Sequence, residues 1–476
     1  MGEAQSFSVK RAQVEFHNFA SLGEPERAFR FYAEENVRRG AILRGHLSFV
    51  GPMSPFLEIG ANAGHTSYLL CNEFGAEGFA LDLSADALRH GIALQDRWKY
   101  ARAPVRVAGD ALNLPFADGS LRLVMAHQML SQFLDLDAVF REVVRVLAPG
   151  GLFFFSEEPL KRLLTLGLYR APYVDTMKPW ERNLYEQGLL GYLVKDVIGA
   201  HQEESFGIRQ NHSMDLKKWQ ALIERHFEAA EYEVFARSHG WAEEAVKSLG
   251  RRMDRHGSDW VPARLLGGTL AAVCRKAGEP ALPQVEMEHF ERYMRCPDCH
   301  GGMTRDADET LRCVECGYLA ANEGGVYNVL READRKELYP GDRDDVIDFS
   351  LPEHAEKLGA GWYELEGVFG NKYRWISARA KAVLKRVRAG KLALRVRGHA
   401  HEQLFTQGKP ATVTARVNGE ICGHWTLERN GLFLLEAPLP DAERYEVELT
   451  SEPEWHADGD ARTLTVTISM MRLVDR

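Results

Sequence analysis

Apolar and polar positions follow three different rhythms along this chain. In the first half, short apolar runs alternate with helix-length stretches. Phe56, Leu57 and Ile59 make one run, which breaks at once into Gly60-Ala61-Asn62-Ala63-Gly64 before a helical stretch. Gly78 to Leu81 make a second, ending in Asp82. Leu121 to Ala126 form a later one that ends in His127-Gln128. A helical pattern from Leu136 to Leu147 then leads through Pro149-Gly150-Gly151 into the run Leu152 to Phe155. Strands of this length alternating with helices predict an open α/β sheet. Residues 24–50 read as a helical segment placed to cover the glycine turn. Leu216 to Phe227 reads as a helix, and Ala229 to Ala236 with Gly268 to Val273 as a final pair of strands.

The rhythm changes twice more. From 157 to about 215 the pattern loses its strands and gathers aromatics: Tyr169, Tyr173, Trp180, Tyr185 and Tyr192. Beyond residue 390 it becomes a strict period of two. Leu392, Leu394 and Val396 alternate with Lys391, Arg395 and Arg397. Val413, Ala415 and Val417 stop at Asn418-Gly419, a hairpin signal, and a second Asn430-Gly431 turn follows. Tyr445, Val447 and Leu449, then Leu464, Val466, Ile468 and Met470, repeat the alternation. Many short strands with such turns predict a β-sandwich or jelly roll over residues 337–476.

Composition narrows the classes. At 476 residues the chain is too long for one ordinary core. A net charge of −9 gives no general pull toward nucleic acid. No apolar stretch approaches the roughly eighteen residues of a membrane span, and the N-terminus lacks a signal-peptide pattern, so a cytoplasmic protein is expected. Four of the seven cysteines sit in two CxxC pairs, which is metal-type usage rather than a disulfide framework.

The glycine turn carries the chemistry. Such a turn lets a ligand approach the backbone, and the helix start behind it offers free N–H groups. An acid ending the next strand is placed to take both hydroxyls of a ribose. A dinucleotide site would want G-x-G-x-x-G, but Asn62 and His65 stand at its second and third glycine positions, so NAD is disfavoured. Asn62 is compatible with a glycine-like turn, because Asn tolerates left-handed backbone better than other non-glycine residues. The pattern Glu58-x-Gly60-x-Asn62-x-Gly64 resembles the first motif of class I S-adenosylmethionine-dependent methyltransferases. Val107-Ala108-Gly109-Asp110-Ala111, Leu114-Pro115-Phe116, Asp118-Gly119-Ser120 and Pro149-Gly150-Gly151 follow in that family's order.

The resemblance implies a Rossmann-like, seven-stranded α/β domain over 1–285, with its last strand antiparallel and inserted beside its neighbour. It implies S-adenosylmethionine as cofactor. Gly60, Asn62 and Gly64 would line the methionine and ribose side, and Glu58 would lie near the methionine amino group. Asp82 would take the ribose hydroxyls with Leu83 beside it, and Asp110 and Ala111 would flank adenine. His127, at the end of the fourth strand, is both a cofactor-side residue and a candidate base, since an unperturbed His titrates near the working pH. Glu157 and Glu158 are the next catalytic candidates, and His201 and His212 lie in the aromatic excursion. No N/D-P-P-Y/F run follows the fourth strand, which favours oxygen or carbon acceptors over amines.

Cys296, Cys299, Cys313 and Cys316 form C-x2-C-x13-C-x2-C within 290–332. Two such knuckles bring four thiolates into a tetrahedron suited to Zn²⁺, and a closed four-sulfur site is structural rather than catalytic. With the tail Gly324-Gly325-Val326-Tyr327, the segment resembles the small zinc-ribbon proteins that activate several methyltransferases. Gly361-Trp362-Tyr363 and Tyr373-Arg374-Trp375, together with the strands that follow, resemble an accessory domain of bacterial surface-polysaccharide enzymes. These resemblances favour a small-molecule or glycan hydroxyl as acceptor. An RNA methyltransferase is the alternative: zinc ribbons often accompany RNA-modifying enzymes, and ten Lys or Arg and no acids lie between Glu366 and Glu402. A scaffold that keeps the fold without turnover is a third reading. The four tryptophans Trp362, Trp375, Trp425 and Trp455 are candidates for core packing or for sugar stacking. A homo-oligomer is allowed but not required.

Overall fold

The computed structural model describes residues 25–133, 135–161, 163–171, 177–187, 189–194, 196–197, 214–235, 265, 268–281, 286–338, 344–349, 352–368, 371–387, 389–405, 410–428, 430–457 and 459–475. Tyr173, His201 and His212 lie outside them. The chain divides into two compact units, one reaching to Asp334 and the other beginning at Arg335.

The first unit is built on one sheet. Its elements are α1 (Pro25–Gly45), β1 (Phe56–Ile59), α2 (His65–Glu73), β2 (Gly78–Asp82), α3 (Ala85–His90), β3 (Val105–Ala108), β4 (Leu121–His127), α4 (Leu136–Val146) and β5 (Leu147–Leu160). After the excursion, which includes α5 (Pro179–Glu186), come α6 (Leu216–His226), β6 (Ala229–Phe235) and β7 (Gly268–Arg275). β1 to β5 pair in parallel in the order β3-β2-β1-β4-β5. β7 then pairs antiparallel between β5 and β6. The interior strands β1, β2 and β4 are buried at every position. That is why they read as unbroken apolar runs: helices cover both faces of a parallel sheet. Leu136, Val139, Phe140, Val143 and Val146 form the apolar stripe of α4 against the sheet.

The sheet is nine-stranded, two strands wider than the expected seven. The cysteine-bearing segment folds into a small sheet of β8 (Met303–Arg305), β9 (Leu311–Cys313) and β10 (Leu319–Ala320). It then returns as β11 (Asn322–Glu323) and β12 (Val326–Asn328). β12 pairs in parallel with β3, matching Tyr327 to Val107 and Asn328 to Ala108, so the order runs β11-β12-β3-β2-β1-β4-β5-β7-β6. Tyr293, Met294, Cys296, Cys313, Tyr318, Tyr327 and Val329 share one apolar core with Phe79, Leu114 and Phe116 of the α/β part.

The second unit has two antiparallel sheets. One has the order β14-β15-β22-β17-β20, with β13 added on β22: β13 (Val346–Asp348), β14 (Trp362–Val368), β15 (Asn371–Ile376), β17 (Leu392–Ala400), β20 (Gly431–Pro438) and β22 (Thr467–Asp475). The other runs β16-β21-β18-β19: β16 (Arg379–Lys385), β18 (Ala411–Val417), β19 (Glu420–Leu427) and β21 (Arg444–Glu452). Leu394, Val396 and Ile468 of the first sheet share a core with Val413, Val447 and Leu449 of the second. No helix among the described residues is long and apolar enough to cross a membrane.

Candidate functional site

The carboxyl edge of β1, β4 and β5 gathers the unusual backbone of the first unit. Gly60, Asn62 and Gly64 all have positive φ, at 65°, 50° and 72°. Asn62 therefore adopts the left-handed turn that glycine ordinarily supplies. Gln128 after β4 and Glu157 in β5 are also left-handed, at 54° and 64°. Non-glycine residues persist in this region only where the surroundings hold them there.

The turn is held from the next strand. Asp82 is buried, and its two oxygens accept from the backbone N–H of Asn62 and of Ser84, each at 2.8 Å. Glu58 lies one layer deeper and accepts from the Ser67 N–H at 2.8 Å and its hydroxyl at 2.6 Å. Burial pushes the Glu58 carboxyl up, while His65, Ser67 and Arg39 oppose the shift. The Asp110 carboxylate caps its own turn by accepting from Leu112 N–H at 2.9 Å. Gly109 N–H donates to the Asp82 carbonyl at 2.9 Å. Leu83 and Ala111 follow Asp82 and Asp110 directly, so both expected halves of the cradle meet at the ends of β2 and β3.

Helix α1 covers this cradle with side chains that the sequence reading had not singled out. Tyr32 stacks on His65 at 4.4 Å, and Asn36 donates to the His65 carbonyl at 3.0 Å. Arg39 is buried. It donates to Thr66 Oγ1 at 2.8 Å and to Glu157 Oε2 at 2.7 Å, and lies 3.3 Å from Glu35. Arg38 holds the other Glu157 oxygen at 2.9 Å. Burial alone would raise the Glu35 carboxyl, but Arg39 and His65 outweigh it and hold it at about 2. One signal was available: three charged residues and an Asn spaced along a helix whose position over the glycine turn was already expected.

The three base candidates sit in different surroundings. Glu157 is tied to both arginines of α1. Glu158 is fully buried and accepts from the N–H groups of Met129, Leu130 and Ser131 at 2.9, 2.8 and 2.9 Å, which fixes the turn after β4. Burial still pushes its carboxyl up to about 7. His127 is buried with Nδ1 2.7 Å from Ser156 Oγ, and its Nε2 has no hydrogen-bond partner in the structure. Burial, with Arg39 and His65 adding to the effect, holds the imidazole well below its usual range, so it is neutral near pH 7.

The four cysteine sulfurs lie within 4.8 Å of one another, with Cys296 and Cys316 3.6 Å apart and Cys299 and Cys313 3.4 Å apart. A tetrahedral ion with metal–sulfur bonds of about 2.3 Å separates its sulfurs by about 3.8 Å, so this donor set fits a zinc-type ion. Gly301 N–H donates to Cys299 Sγ and Glu315 N–H to Cys313 Sγ, both at 3.4 Å, the backbone contacts expected around thiolate ligands. The segment clasps the strand and loop that carry Asp110. Asn113 donates to the Pro297 carbonyl at 2.9 Å, Arg295 N–H to Pro115 O at 3.1 Å, Ala117 N–H to Tyr293 O at 2.8 Å and Val329 N–H to Ala108 O at 2.8 Å.

In the second unit three of the four candidate platforms are tied into the fold by their indole N–H groups. The indole N–H of Trp362 donates to Lys381 O, that of Trp375 to Glu366 and that of Trp455 to Thr465 O. Five of the ten residues of the basic stretch face carboxylates. Arg379 and Lys381 face Glu448, Lys385 faces Asp344, Arg386 faces Asp441 and Arg395 faces Glu436.

Comparison with known proteins agrees with the geometry of the first unit. A family model described as "Methyltransferase domain" matches residues 57–155. The malonyl-[acyl-carrier protein] O-methyltransferase of Methylococcus capsulatus is 36% identical over 117 residues, covering 24% of this chain and 42% of that protein. The chloroplastic tocopherol O-methyltransferase of Arabidopsis thaliana is 28% identical over 131 residues, covering 28% of this chain and 36% of that protein. The chain thus spans less than half the length of these relatives. Among solved structures, a Haemonchus contortus phosphoethanolamine N-methyltransferase 2 bound to S-adenosyl-L-methionine aligns at 16% identity with a TM-score of 0.33, over 55% of this chain and 60% of its own. The family-model match over residues 57–155, where the cradle around Asn62 and Asp82 lies, identifies an S-adenosylmethionine-dependent methyltransferase domain in the first unit of this chain.

Proposed function

We propose that the chain transfers a methyl group from S-adenosylmethionine to a hydroxyl of a sugar or related small molecule in surface-glycan biosynthesis, in the cytoplasm. The cofactor supplies a methyl group already activated on sulfur, so the protein's tasks are position and proton removal. The loop Gly60 to Gly64, with Asp82 and Leu83, would hold the ribose and methionine side. Asp110 and Ala111 would flank the base, and Glu58 sits beneath. The observation that carries the reading is the buried, neutral His127 with an unengaged Nε2 at the end of β4. The geometry supports the role: Ser156 orients Nδ1 and leaves Nε2 to accept the hydroxyl proton, against the depression that burial imposes on the imidazole. Glu157 and Glu158 are already engaged with the Arg38–Arg39 pair and with three backbone N–H groups, which favours positioning roles for both.

The reading takes 1–285 as the methyltransferase part and 290–332 as a structural zinc ribbon on Cys296, Cys299, Cys313 and Cys316. It takes 337–476 as a β-sandwich accessory domain. The glycan part rests on the resemblance of that last unit. Relatives' acceptors as different as an acyl-carrier malonyl group and a tocopherol leave the acceptor open to assay. A nucleic-acid acceptor gains less from the basic stretch than its sequence suggests, because five of its ten positive residues face carboxylates within the unit.

The test is calorimetric titration of the zinc-loaded chain with S-adenosylhomocysteine, for the wild type and Asp82→Ala. A screen of hydroxylated glycan precursors for methylated product follows, with His127→Gln in parallel. Binding lost in Asp82→Ala and turnover lost in His127→Gln with binding kept are the expected results. Absence of cofactor binding would leave the scaffold reading in front.

A further inference from the structure

Just past the candidate base region, the chain builds an apolar ridge that the methyl-transfer chemistry does not use. Leu163, Leu164, Leu166 and Leu168 are 48%, 51%, 67% and 65% exposed, and Trp180 on α5 is 49% exposed. The ridge is held in place. The N–H groups of Leu163 and Leu164 donate to the Leu265 carbonyl at 3.1 and 2.8 Å, and those of Leu166 and Leu168 to the carbonyls of Tyr192 and Leu193 at 2.8 and 2.9 Å. The backbone N–H groups are therefore satisfied while the four leucine side chains stay largely in solvent. An apolar surface maintained this way marks an interaction site.

The surrounding residues say what fits it. No acid occurs between Glu158 and Asp175, whereas Lys161, Arg162 and Arg170 bracket the leucines in sequence. α5 adds Trp180 beside Tyr169, with ring centroids 6.5 Å apart, and exposes Lys178 at its start. Its first-turn acid, Glu181, is buried and accepts from Lys178 N–H and Tyr169 hydroxyl, both at 2.9 Å. Among the described residues the exposed leucines and Trp180 are joined by the exposed Lys161 and Lys178, with Glu186 at the far end of α5 an exposed acid, and leucines, amphipathic aromatics and lysines together suit a surface that lies at an anionic lipid interface. In a chain of net charge −9 this local bias is not a by-product of overall composition.

We infer that the ridge Leu163 to Leu168, with Trp180 and Lys178, docks the first unit on an anionic lipid surface. Leu163 is five positions beyond Glu158, at most about 17 Å of extended chain, so docking would bring the acceptor edge of the sheet close to the headgroups. The docking surface stands by itself; its consequence, an acceptor carried on a lipid, rests on the proposed methyltransferase reading.

The test is co-sedimentation of the full chain with phosphatidylcholine vesicles, with and without phosphatidylglycerol, for the wild type and the Leu166→Glu, Leu168→Glu double variant. Titration with S-adenosylhomocysteine and light scattering on the same samples complete it. Binding that requires phosphatidylglycerol, weakens about tenfold or more in the variant and leaves cofactor binding intact supports the inference. It is overturned if neither vesicle binds, if binding is unchanged by the two substitutions, or if the ridge instead holds a dimer that the variant dissociates. Loss of cofactor binding in the wild type would strike the methyltransferase reading and leave the vesicle result to be judged separately.

Discussion

The side-chain amide of Asn113 donates to the carbonyl of Pro297, 184 positions away, at 2.9 Å. Asn113 closes the turn begun by Asp110, and Pro297 lies between the first two cysteines. The cysteine knuckle and the loop proposed to flank the cofactor's base are therefore joined directly.

Removing the metal should therefore reach the cofactor. A tightly chelated chain, or Cys313→Ser, is expected to bind S-adenosylhomocysteine about tenfold or more weakly, a loss of about 1.4 kcal/mol in calorimetry. It should also lose thermal stability, since metal binding contributes folding free energy in such small modules. Unchanged affinity in metal-free protein would mean that Asn113 and β3 are organised without the knuckle.

Asn62 is left-handed and gives its N–H to Asp82. Asn62→Gly should keep that geometry, with stability and cofactor affinity near wild type. Asn62→Val should cost about 1–2 kcal/mol, because a branched side chain opposes positive φ. Denaturant unfolding of the two variants checks this; equal stabilities would show that the turn relaxes to another conformation.

Arg39 holds Glu35 and Glu157 from within α1. Arg39→Met keeps the apolar stem but leaves carboxylates partly buried without their partner, a change expected to cost about 3 kcal/mol. Hydrogen exchange should show α1 opening first, while β1 and β4 keep their protection.

His46, just beyond α1, is buried with one ring nitrogen on Glu231 and the other 2.7 Å from Glu233. These partners, Glu233 first, outweigh burial and raise the imidazole above its usual value. Because the folded state holds this proton more tightly than the unfolded chain, the stabilisation is complete below about pH 6.5 and fades as pH rises through the raised value. His46→Gln should flatten the pH dependence of the unfolding midpoint above about pH 6.5. An identical pH profile would show that the contact carries no proton linkage.

Much of the α/β part was legible because buried parallel strands leave unbroken apolar runs, as at Leu121 to Ala126, and because Asp82 ends its strand where a ligand would meet it. The β-strand pattern of the second unit was equally plain from Val413, Ala415 and Val417. Two things were hidden for physical reasons. β12 is three residues long, so Val326 to Asn328 carries no periodicity, and its pairing with β3 depends on distant residues. The polar network of Glu35, Arg39 and His65 sits where local pattern reads a charge as solvent-facing. Only the covering of Gly60 to Gly64 by α1 turns those charges inward.

The β12–β3 pairing also changes what counts as a self-sufficient piece of this protein. Without β12, β3 would be the edge of the sheet, with Val105, Val107 and their backbone N–H and C=O groups open to whatever strand came near. Unpaired apolar edges of that kind recruit other chains. A polypeptide ending at residue 285 would contain every residue proposed to hold the cofactor and still be expected to aggregate rather than stay monomeric. The segment that follows is thus a solubility element for the catalytic sheet, quite apart from any ion its cysteines hold.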